Sequence, residues 1–332
     1  MMTIKVTSCG KLYVAGEYAI LTPGQTALIK NIPIYMQASI RPASHIQLHS
    51  DMFEYSVGME EDENYSLIQE TIKVWARYRD RNPVDLPQFE LKISGKMEED
   101  GLKYGIGSSG SVTILVLKAL ASFSEIELSP DLLFRLASYV LLARGDNGSM
   151  GDLACIAYDA FISFQSFDRK RVRLYLETHS LQETLDLDWG YQIEVIHPQL
   201  SCQFLVGWTR QPAISKDLIR QVQAAIDSEF LRATNLATLS CKEAFLKGNR
   251  VGVKKSLNHI SDLLENLSPA IYTQKLYQLR FLASQYDAVA KSSGAGGGDC
   301  GIAFVFDKDV LEHLLQDWQQ AGIQLLYQED LS

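Results

Sequence analysis

The sequence predicts an α+β protein built from two domains. Its 332 residues exceed what a single hydrophobic core commonly supports. Short strand-like runs and turns fill residues 1–60, whereas strands and long helices alternate after about residue 188, as in a split βαβ, ferredoxin-like domain. We therefore expect an N-terminal domain over residues 1–188 and a C-terminal domain over residues 189–332.

The N-terminal domain is expected to combine short strands with helices that surround a glycine loop. Strand-like segments occur at 4–7, 12–15, 26–29, 35–41, 45–50 and 89–93. Apolar residues at helical spacing predict helices over 64–81, 112–123 and 130–144, the last followed by Gly145 as its C′ residue. A turn-rich loop, 145–152, then leads into a short apolar segment, 153–158.

The C-terminal domain is expected to alternate strands and helices around a glycine loop of its own, at 291–301. Strand-like segments occur at 191–197, 203–209, 302–306 and 323–327. Helical patterns occur at 215–232, 250–266, 272–290 and 309–321. The glycine loop lies between the third of these helices and the strand at 302–306.

Composition narrows the functional class. The net charge is −9 and no Lys/Arg-rich stripe stands out, which argues against nucleic-acid binding. No apolar run approaches the roughly 20 residues that span a bilayer, and the first five residues lack the apolar core of a signal peptide. Five scattered cysteines without CxxC spacing and six dispersed histidines predict neither disulfides nor a zinc site. We expect a cytoplasmic protein that does not bind membranes.

The glycine loop at 291–301 reads KSSGAGGGDCG, with five glycines in eleven residues. Glycine lets the backbone take positive φ and approach a ligand within hydrogen-bonding distance. A flexible linker is the alternative, but a strand-like run follows directly and a helical pattern precedes. The segment therefore favours a ligand-binding loop.

Another glycine segment, GIGSSGSV at 105–112, matches two known sequence patterns, but the residues around it argue against both. A dinucleotide fingerprint needs a buried strand before it, but residues 97–103 are too polar, and neither HRD nor DFG follows as in protein kinases. Small residues at a helix N-terminus nevertheless expose N–H groups that bind phosphate. Ser108 and Ser109 add hydroxyls that could reach phosphate or Mg²⁺; the alternative is that they only cap the helix.

Two charged residues stand beside these glycine segments. Lys11, between a glycine turn and an apolar strand, needs an anionic partner if it is buried; the alternative is a solvated edge lysine. Asp152 stands where a loop meets a helix, so its default role is an N-cap. It could instead act as a general base on a substrate or orient it, and the sequence leaves this open.

The first glycine segment (residues 10–18), the second (105–112) and the third (291–301) resemble, in this order, the signature motifs of the GHMP kinases, which include galactokinase and the homoserine, mevalonate and phosphomevalonate kinases. The matching stretches are 10–18, 105–110 and 293–299, with Ile106 and Gly110 in place of the commoner Leu and Ala. Residues 11–21 and 144–152 are most similar to the bacterial phosphomevalonate kinase branch. Mevalonate kinases usually carry a histidine where Tyr18 stands.

The resemblance implies a fold and a set of site residues. The fold would be an N-terminal domain like ribosomal protein S5 and a ferredoxin-like C-terminal domain. Lys11 and Asp152 would be catalytic, and Ser109 would help to hold Mg²⁺. The residues implied for ATP are Lys103, Gly105, Ile106, Gly107, Ser108, Ser109, Gly110 and Ser111. Those implied for the acceptor are Lys11, Tyr18, Lys103, Arg144, Asn147, Ser149, Ser293, Gly294 and Ala295.

The reaction implied by the resemblance is phosphorylation of 5-phosphomevalonate by ATP to 5-diphosphomevalonate, a step towards isoprenoid precursors. A phosphate acceptor needs cations, for which Lys103 and Arg144 are the candidates. The alternatives are a mevalonate kinase of the same family, or a non-catalytic ligand sensor, against which the presence of Lys11, Ser109 and Asp152 argues. The expected partners are ATP and 5-phosphomevalonate, in a monomer or homodimer.

Overall fold

The computed structural model describes residues 3–95, 97–213 and 216–331, which form two antiparallel-rich sheets covered by helices. The strands of the larger sheet and its hairpin are β1 (Ile4–Ala15), β2 (Thr26–Pro42), β3 (Gln47–Ser50), β4 (Ser56–Val57), β5 (Phe89–Ser94), β6 (Glu98–Glu99), β7 (Leu102–Lys103), β8 (Ile162–Gln165) and β9 (Gln192–Val195). The smaller sheet contains β10 (Cys202–Trp208), β11 (Ala288–Ser292), β12 (Cys300–Val305) and β13 (Gln324–Leu331).

Helices flank both sheets. They are α1 (Ser66–Tyr78), α2 (Ser108–Phe123), α3 (Pro130–Ala143), α4 (Gly151–Tyr158), α5 (Arg169–Leu176), α6 (Leu181–Asp186), α7 (Lys216–Ala224), α8 (Ser228–Leu246), α9 (Arg250–Leu267), α10 (Gln274–Ser284) and α11 (Leu311–Gln320). Within the described ranges, none of them combines the length and hydropathy that a membrane span requires.

The larger sheet is organised around β2. Its strand order is β4-β3-β5-β2-β8-β9, with β1 pairing antiparallel to β2 over most of its length. The apolar helix α2 packs on β1 and β2, and α4 packs on the same two strands. Because side chains such as Leu115, Val116 and Leu117 are fully buried, α2 lies in the core of this half. The N-termini of α2 and α4 are therefore held near the same strands.

The smaller sheet confirms the ferredoxin-like prediction. Its order is β11-β12-β10-β13, with all neighbours antiparallel. Counted along this half of the chain, that is the second, third, first and fourth strand, the order of a ferredoxin-like sheet. Helices α9 and α10 pack on β11, and α11 packs on β13. Every residue of β10 is buried, as expected for a central strand.

The predicted division at 188/189 precedes the change of sheet. Strand β9 pairs with β8, with Val195 opposite Ile162, so the larger sheet continues to Val195 and the smaller one begins at Cys202. The pattern of a strand reveals its buried face but not the strand with which it pairs. We therefore propose a division between 196 and 201.

Two local predictions were incomplete. The polar stretch before Tyr104 contains the hairpin β6–β7. The apolar segment after Gly151 is the helix α4, as expected from the junction of a loop and a helix at Asp152. The predicted helix over 272–290 ends at Ser284, and β11 begins at Ala288, because a short apolar run fits either a helix or a buried strand. The predicted start of another helix, Ser215, lies outside the described residues.

Candidate active site

The first and second glycine segments pack directly on each other. The backbone N–H of Lys11 donates to the carbonyl of Ile106 at 2.8 Å. A Cβ added to Gly10 would lie 2.8 Å from Ile106 Cδ1, and one added to Gly107 would lie 2.8 Å from Lys11 Cε. Neither glycine can be replaced without moving its neighbour. The missing side chains thus bring Lys11 against the N-terminus of α2.

The third glycine segment joins them from the other sheet. The hydroxyl of Ser293 donates to the carbonyl of Tyr13 at 2.8 Å, and that of Tyr18 donates to the carbonyl of Ala295 at 2.6 Å. A Cβ on Gly105 would overlap the carboxylate of Asp299. Three segments that are far apart in sequence thus surround one site, built from both halves of the chain.

Helix α2 presents its N-terminus to this site. Its N-cap is Gly107, with φ of 91°, and no side chain caps the helix. The alternative that Ser108 and Ser109 are capping residues is therefore wrong. Ser108 is half-buried and Ser109 is exposed. Their backbone N–H groups lie in the first turn, where the helix dipole favours an anion.

Ser111 serves the fold instead. It is fully buried; its hydroxyl donates to the carbonyl of Cys9 at 2.7 Å, and its N–H donates to that of Gly107 at 3.1 Å. Both donors are used within the protein, so the prediction that Ser111 binds ATP is wrong. Ser111 lies one helical turn beyond Gly107, where backbone N–H groups already have intrahelical acceptors.

Lys11 is buried, with 9% of its surface exposed, so the alternative of a solvated edge lysine is wrong. Its ammonium lies over the ring of Tyr13, 5.2 Å from the centroid. In the described part of the chain no carboxylate lies within ion-pair distance of it. This ammonium has no counter-ion in the described fold, so an anionic ligand would be stabilised beside it.

Asp152 lies in the first turn of α4 and does not cap it. The N-cap is Met150 in the left-handed conformation, without a side-chain hydrogen bond, so the N-cap alternative is wrong. Asp152 Oδ2 lies 3.1 Å from the position that a Cβ on Gly110 would take. The carboxylate therefore faces the first turn of α2.

A hydrogen-bonded pair lines the space between Lys11 and α4. The hydroxyl groups of Tyr13 and Ser149 are 2.8 Å apart, and the N–H of Gly151 donates to Ser149 Oγ at 3.1 Å. Burial, and then the charge of Asp152, raises the pKa of Tyr13 well above its usual range. Tyr13 is therefore neutral at physiological pH.

Comparison with known proteins identifies this arrangement. A family model described as the GHMP kinases N terminal domain matches residues 66–160, and one described as GHMP kinases C terminal matches residues 241–324. The chain belongs to the GHMP kinases. The predicted two-domain fold of that family is confirmed.

Individual relatives of this GHMP kinase extend the comparison. A solved structure of phosphomevalonate kinase from Streptococcus pneumoniae, in complex with phosphomevalonate and AMPPNP, is 48% identical; the match covers 98% of this chain and 99% of that one, with a TM-score of 0.95. A phosphomevalonate kinase from Streptomyces sp. (strain CL190) is 28% identical over 350 residues, 95% of this chain and 93% of the relative. The mevalonate kinase structure from Methanococcus jannaschii is 19% identical with a TM-score of 0.75, covering 100% of this chain and 99% of that one, and shows the fold alone.

The cations predicted for the acceptor have different surroundings in this GHMP kinase. Lys103 is exposed at the end of β7. The charge of Lys103, like that of Lys11, acts to lower the pKa of Asp299 in the third glycine segment, although burial of this carboxyl raises its pKa overall. Arg144 donates to Ser66 Oγ at 3.2 Å, which engages it with α1. The sequence shows that Arg144 borders the Asp152 loop but not which way its side chain points.

Asn147 is also engaged outside the site. Its side-chain oxygen accepts a hydrogen bond from Arg173 Nη1, on α5, at 3.3 Å. The residue is exposed, whereas Ser149, two positions later in the same loop, is buried. Of these two neutral acceptor candidates, Ser149 is the one that contacts the first glycine segment.

The sequence prediction missed a buried ion pair that joins the two sheets. The ammonium of Lys291, on β11, is hydrogen-bonded to the carboxylate of Glu17 and to the carbonyl of Ser292, the latter at 2.6 Å. The side chains are 0% and 2% exposed. Both residues lie at the edge of a glycine segment, which indicates that they are near the site. Two residues that are 274 positions apart cannot be paired from the sequence.

A matched pair of glycines tests the contact between the second and third segments. Gly105 and Gly101 both have positive φ, 77° and 76°, but only at Gly105 does an added Cβ overlap Asp299; at Gly101 the space is open. We expect Gly105→Ala to raise the KM for ATP at least tenfold. Gly101→Ala should cost only the backbone strain of about 1 kcal/mol. Equal KM values for ATP in the two variants would contradict a role for this contact.

Proposed function

We propose that this GHMP kinase transfers the γ-phosphoryl group of ATP to the phosphate of 5-phosphomevalonate, giving 5-diphosphomevalonate and ADP, in the mevalonate route to isoprenoids. The ammonium of Lys11, which has no ion-pair partner within the described residues and belongs to a side chain held against the N-terminus of α2, is the observation that carries phosphoryl transfer. The choice of acceptor is supported by 48% identity to a phosphomevalonate kinase solved with phosphomevalonate and AMPPNP.

We assign the ATP phosphates to the start of α2. Backbone N–H groups from Gly105 to Gly110 would donate to the phosphate oxygens, and the helix dipole would favour their charge. The absence of side chains at Gly105 and Gly107 leaves room for the carboxylate of Asp299 and the stem of Lys11 beside this loop. Lys103, exposed beside this loop, is available to the outer phosphates.

The residues present fit a magnesium ion that arrives with the nucleotide. Among the described residues, no three His, Cys, Asp or Glu side chains are grouped to hold a metal by themselves. Mg²⁺ commonly takes only one or two protein ligands and otherwise binds phosphates and water. The exposed hydroxyl of Ser109 could supply one such ligand. When bound, the ion would neutralise charge on the transferred phosphoryl group.

Phosphoryl transfer to a phosphate needs little proton chemistry. The bond between the γ-phosphorus and the β,γ-bridging oxygen breaks, and a new one forms to an oxygen of the acceptor phosphate. That phosphate is mostly dianionic near neutral pH, because its second pKa is about 6. We therefore assign Asp152 an orienting role, and Lys11 the neutralisation of charge on the reacting oxygens.

The acceptor would lie between Lys11, the Ser149 loop and the third glycine segment. Tyr18 and Ser293 attach that segment to the first one through their hydroxyl groups. We expect the backbone at Gly294 and Ala295 to contact the organic part of the acceptor. Ser149 would add a hydroxyl from the α4 side.

A coupled ADP-release assay tests this proposal. Mg-ATP is offered with 5-phosphomevalonate, mevalonate, 5-diphosphomevalonate or no acceptor. We expect turnover with 5-phosphomevalonate alone. Turnover with mevalonate instead would support a mevalonate kinase, the alternative for which the 19% identical structure offers only the fold. No turnover with any acceptor would favour a non-catalytic sensor.

Two further expectations concern the compartment in which the enzyme works and its oligomeric state. We expect the reaction to take place in the cytoplasm, where all five cysteines, which are buried free thiols, would stay reduced. We expect a monomer or a homodimer. Analytical ultracentrifugation would distinguish these two states.

A further inference from the structure

Arg169 carries a buried donor that nothing in the described fold uses. It is the first residue of α5, and its Nη2 donates to the carbonyl of Leu21 at 2.5 Å. Its Nη1 is buried and has no hydrogen-bond partner among the described residues. Leaving a charged donor unsatisfied in the interior costs several kcal/mol in general. A missing acceptor is therefore indicated beside Nη1.

The nearest carboxylates do not supply that acceptor. Burial lowers the pKa of Arg169, and Tyr13, Asp168 and Asp146 act in the opposite direction. Asp168 instead caps α5 by accepting from the N–H of Arg171 at 3.0 Å, and Asp146 accepts from that of Gly148 at 2.6 Å. One oxygen of each carboxylate is used by local backbone, and within the described residues neither carboxylate is hydrogen-bonded to Arg169. The guanidinium is left with positive charge and a free N–H direction.

Arg169 adjoins the acceptor side of the proposed site. Its contact, Leu21, ends the short helix that follows Tyr18 and donates its N–H to the carbonyl of Tyr18 at 3.1 Å. Helix α5 also reaches the Ser149 loop, because Arg173 donates to Asn147. Tyr13 lies under the ammonium of Lys11 and is hydrogen-bonded to Ser149. Two cations without carboxylate partners in the described chain therefore meet at residues 11–21: Lys11 begins this segment, and Arg169 bonds to its last residue.

We propose that Arg169 binds the phosphate of the acceptor, with Nη1 donating to one of its oxygens. This role rests on the proposed function and names the cation that recognises its phosphorylated acceptor. A dianion is matched by two fixed cations, here Lys11 and Arg169, and guanidinium is well suited to phosphate oxygens. Lys103 and Arg144, predicted from the sequence for this task, are exposed.

The test compares binding by wild-type enzyme, Arg169→Gln and Arg169→Lys, with Lys170→Gln as the matched control. Lys170 is the next residue of α5 and is exposed, so its replacement makes the same change in charge. Calorimetric titrations use 5-phosphomevalonate, mevalonate, inorganic phosphate and AMPPNP, and none of them requires turnover.

We expect Arg169→Gln to weaken binding of 5-phosphomevalonate about 10- to 150-fold, the range for a hydrogen bond to a charged group. Binding of mevalonate and AMPPNP should change less than twofold, Lys170→Gln should behave as wild type, and Arg169→Lys should recover part of the loss. Retained AMPPNP binding also shows that the variant is folded. Unchanged binding of 5-phosphomevalonate, or an equal loss for mevalonate, would overturn the inference.

Failure of the proposed function would be recognised separately. It would appear as absence of turnover by the wild-type enzyme, whatever Arg169 does. In that case the titration with inorganic phosphate decides: weaker binding in Arg169→Gln than in Lys170→Gln supports an anion site at Arg169. Equal binding in the two variants overturns it.

Discussion

Replacing Lys11 by alanine or methionine is expected to lower kcat by about two or more orders of magnitude and to leave the fold intact. Removal of one preorganised charge or donor from a transition state typically costs about 10²- to 10³-fold in rate. Lys11 is 9% exposed and packs against the start of α2, where water screens a charge less than it does at an open surface. Steady-state kinetics with ATP and 5-phosphomevalonate, together with thermal melting, measure both parts of the prediction.

Methionine is the more informative of the two replacements. It keeps the apolar stem that packs beside Gly107 and removes only the charge. Lys5→Met is the control, since Lys5 is an exposed lysine on the same strand. A kcat for Lys11→Met close to that of Lys5→Met would contradict the assignment of Lys11 to catalysis.

Replacing Lys291 by methionine is expected to destabilise the protein by about 3–5 kcal/mol, the cost of removing one partner of a buried ion pair. The carboxylate of Glu17 would remain buried, and one of its oxygens already lacks a hydrogen-bond partner among the described residues. Urea unfolding followed by tryptophan fluorescence measures the change; Trp208 reports on the smaller sheet.

The double variant Glu17→Gln/Lys291→Met separates the charge from the packing. It should recover much of the lost stability, because no uncompensated charge then remains buried. Recovery of stability without recovery of kcat would indicate that the pair also positions the first glycine segment against the third. If Lys291→Met alone is as stable as wild type, the buried ion pair does not contribute to the stability of the fold.

The sequence predicted the parts of this site that depend on local chemistry. Glycine at 105 and 107 and serine at 108 and 109 indicate a helix N-terminus without bulky side chains, and the structure has one there. The resemblance to the GHMP kinases then predicted that the three glycine segments lie at one site, and they contact one another in the structure. The long segments of α2, α3 and α9 were predictable because many residues share their helical period.

What could not be predicted depends on side-chain direction and on pairing across the fold. In the sequence, Ser111 cannot be distinguished from Ser108 and Ser109. Its side chain nevertheless points into the core, because Ser111 lies further along α2. Arg169 belongs to the run Arg-Lys-Arg, which reads as a solvated surface, yet one of its nitrogens is buried. The partner of β9, like that of Lys291, is set by tertiary packing rather than by neighbours in the chain.

The identity of the product tests the central claim most directly. Phosphorus-31 NMR is recorded while the enzyme consumes ATP in the presence of 5-phosphomevalonate. If the acceptor atom is a phosphate oxygen, the phosphomonoester singlet disappears. A new pair of mutually coupled doublets, additional to those of ADP and equal to them in amount, then appears. Persistence of that singlet, together with a new phosphomonoester singlet when mevalonate is offered instead, would contradict the proposed acceptor.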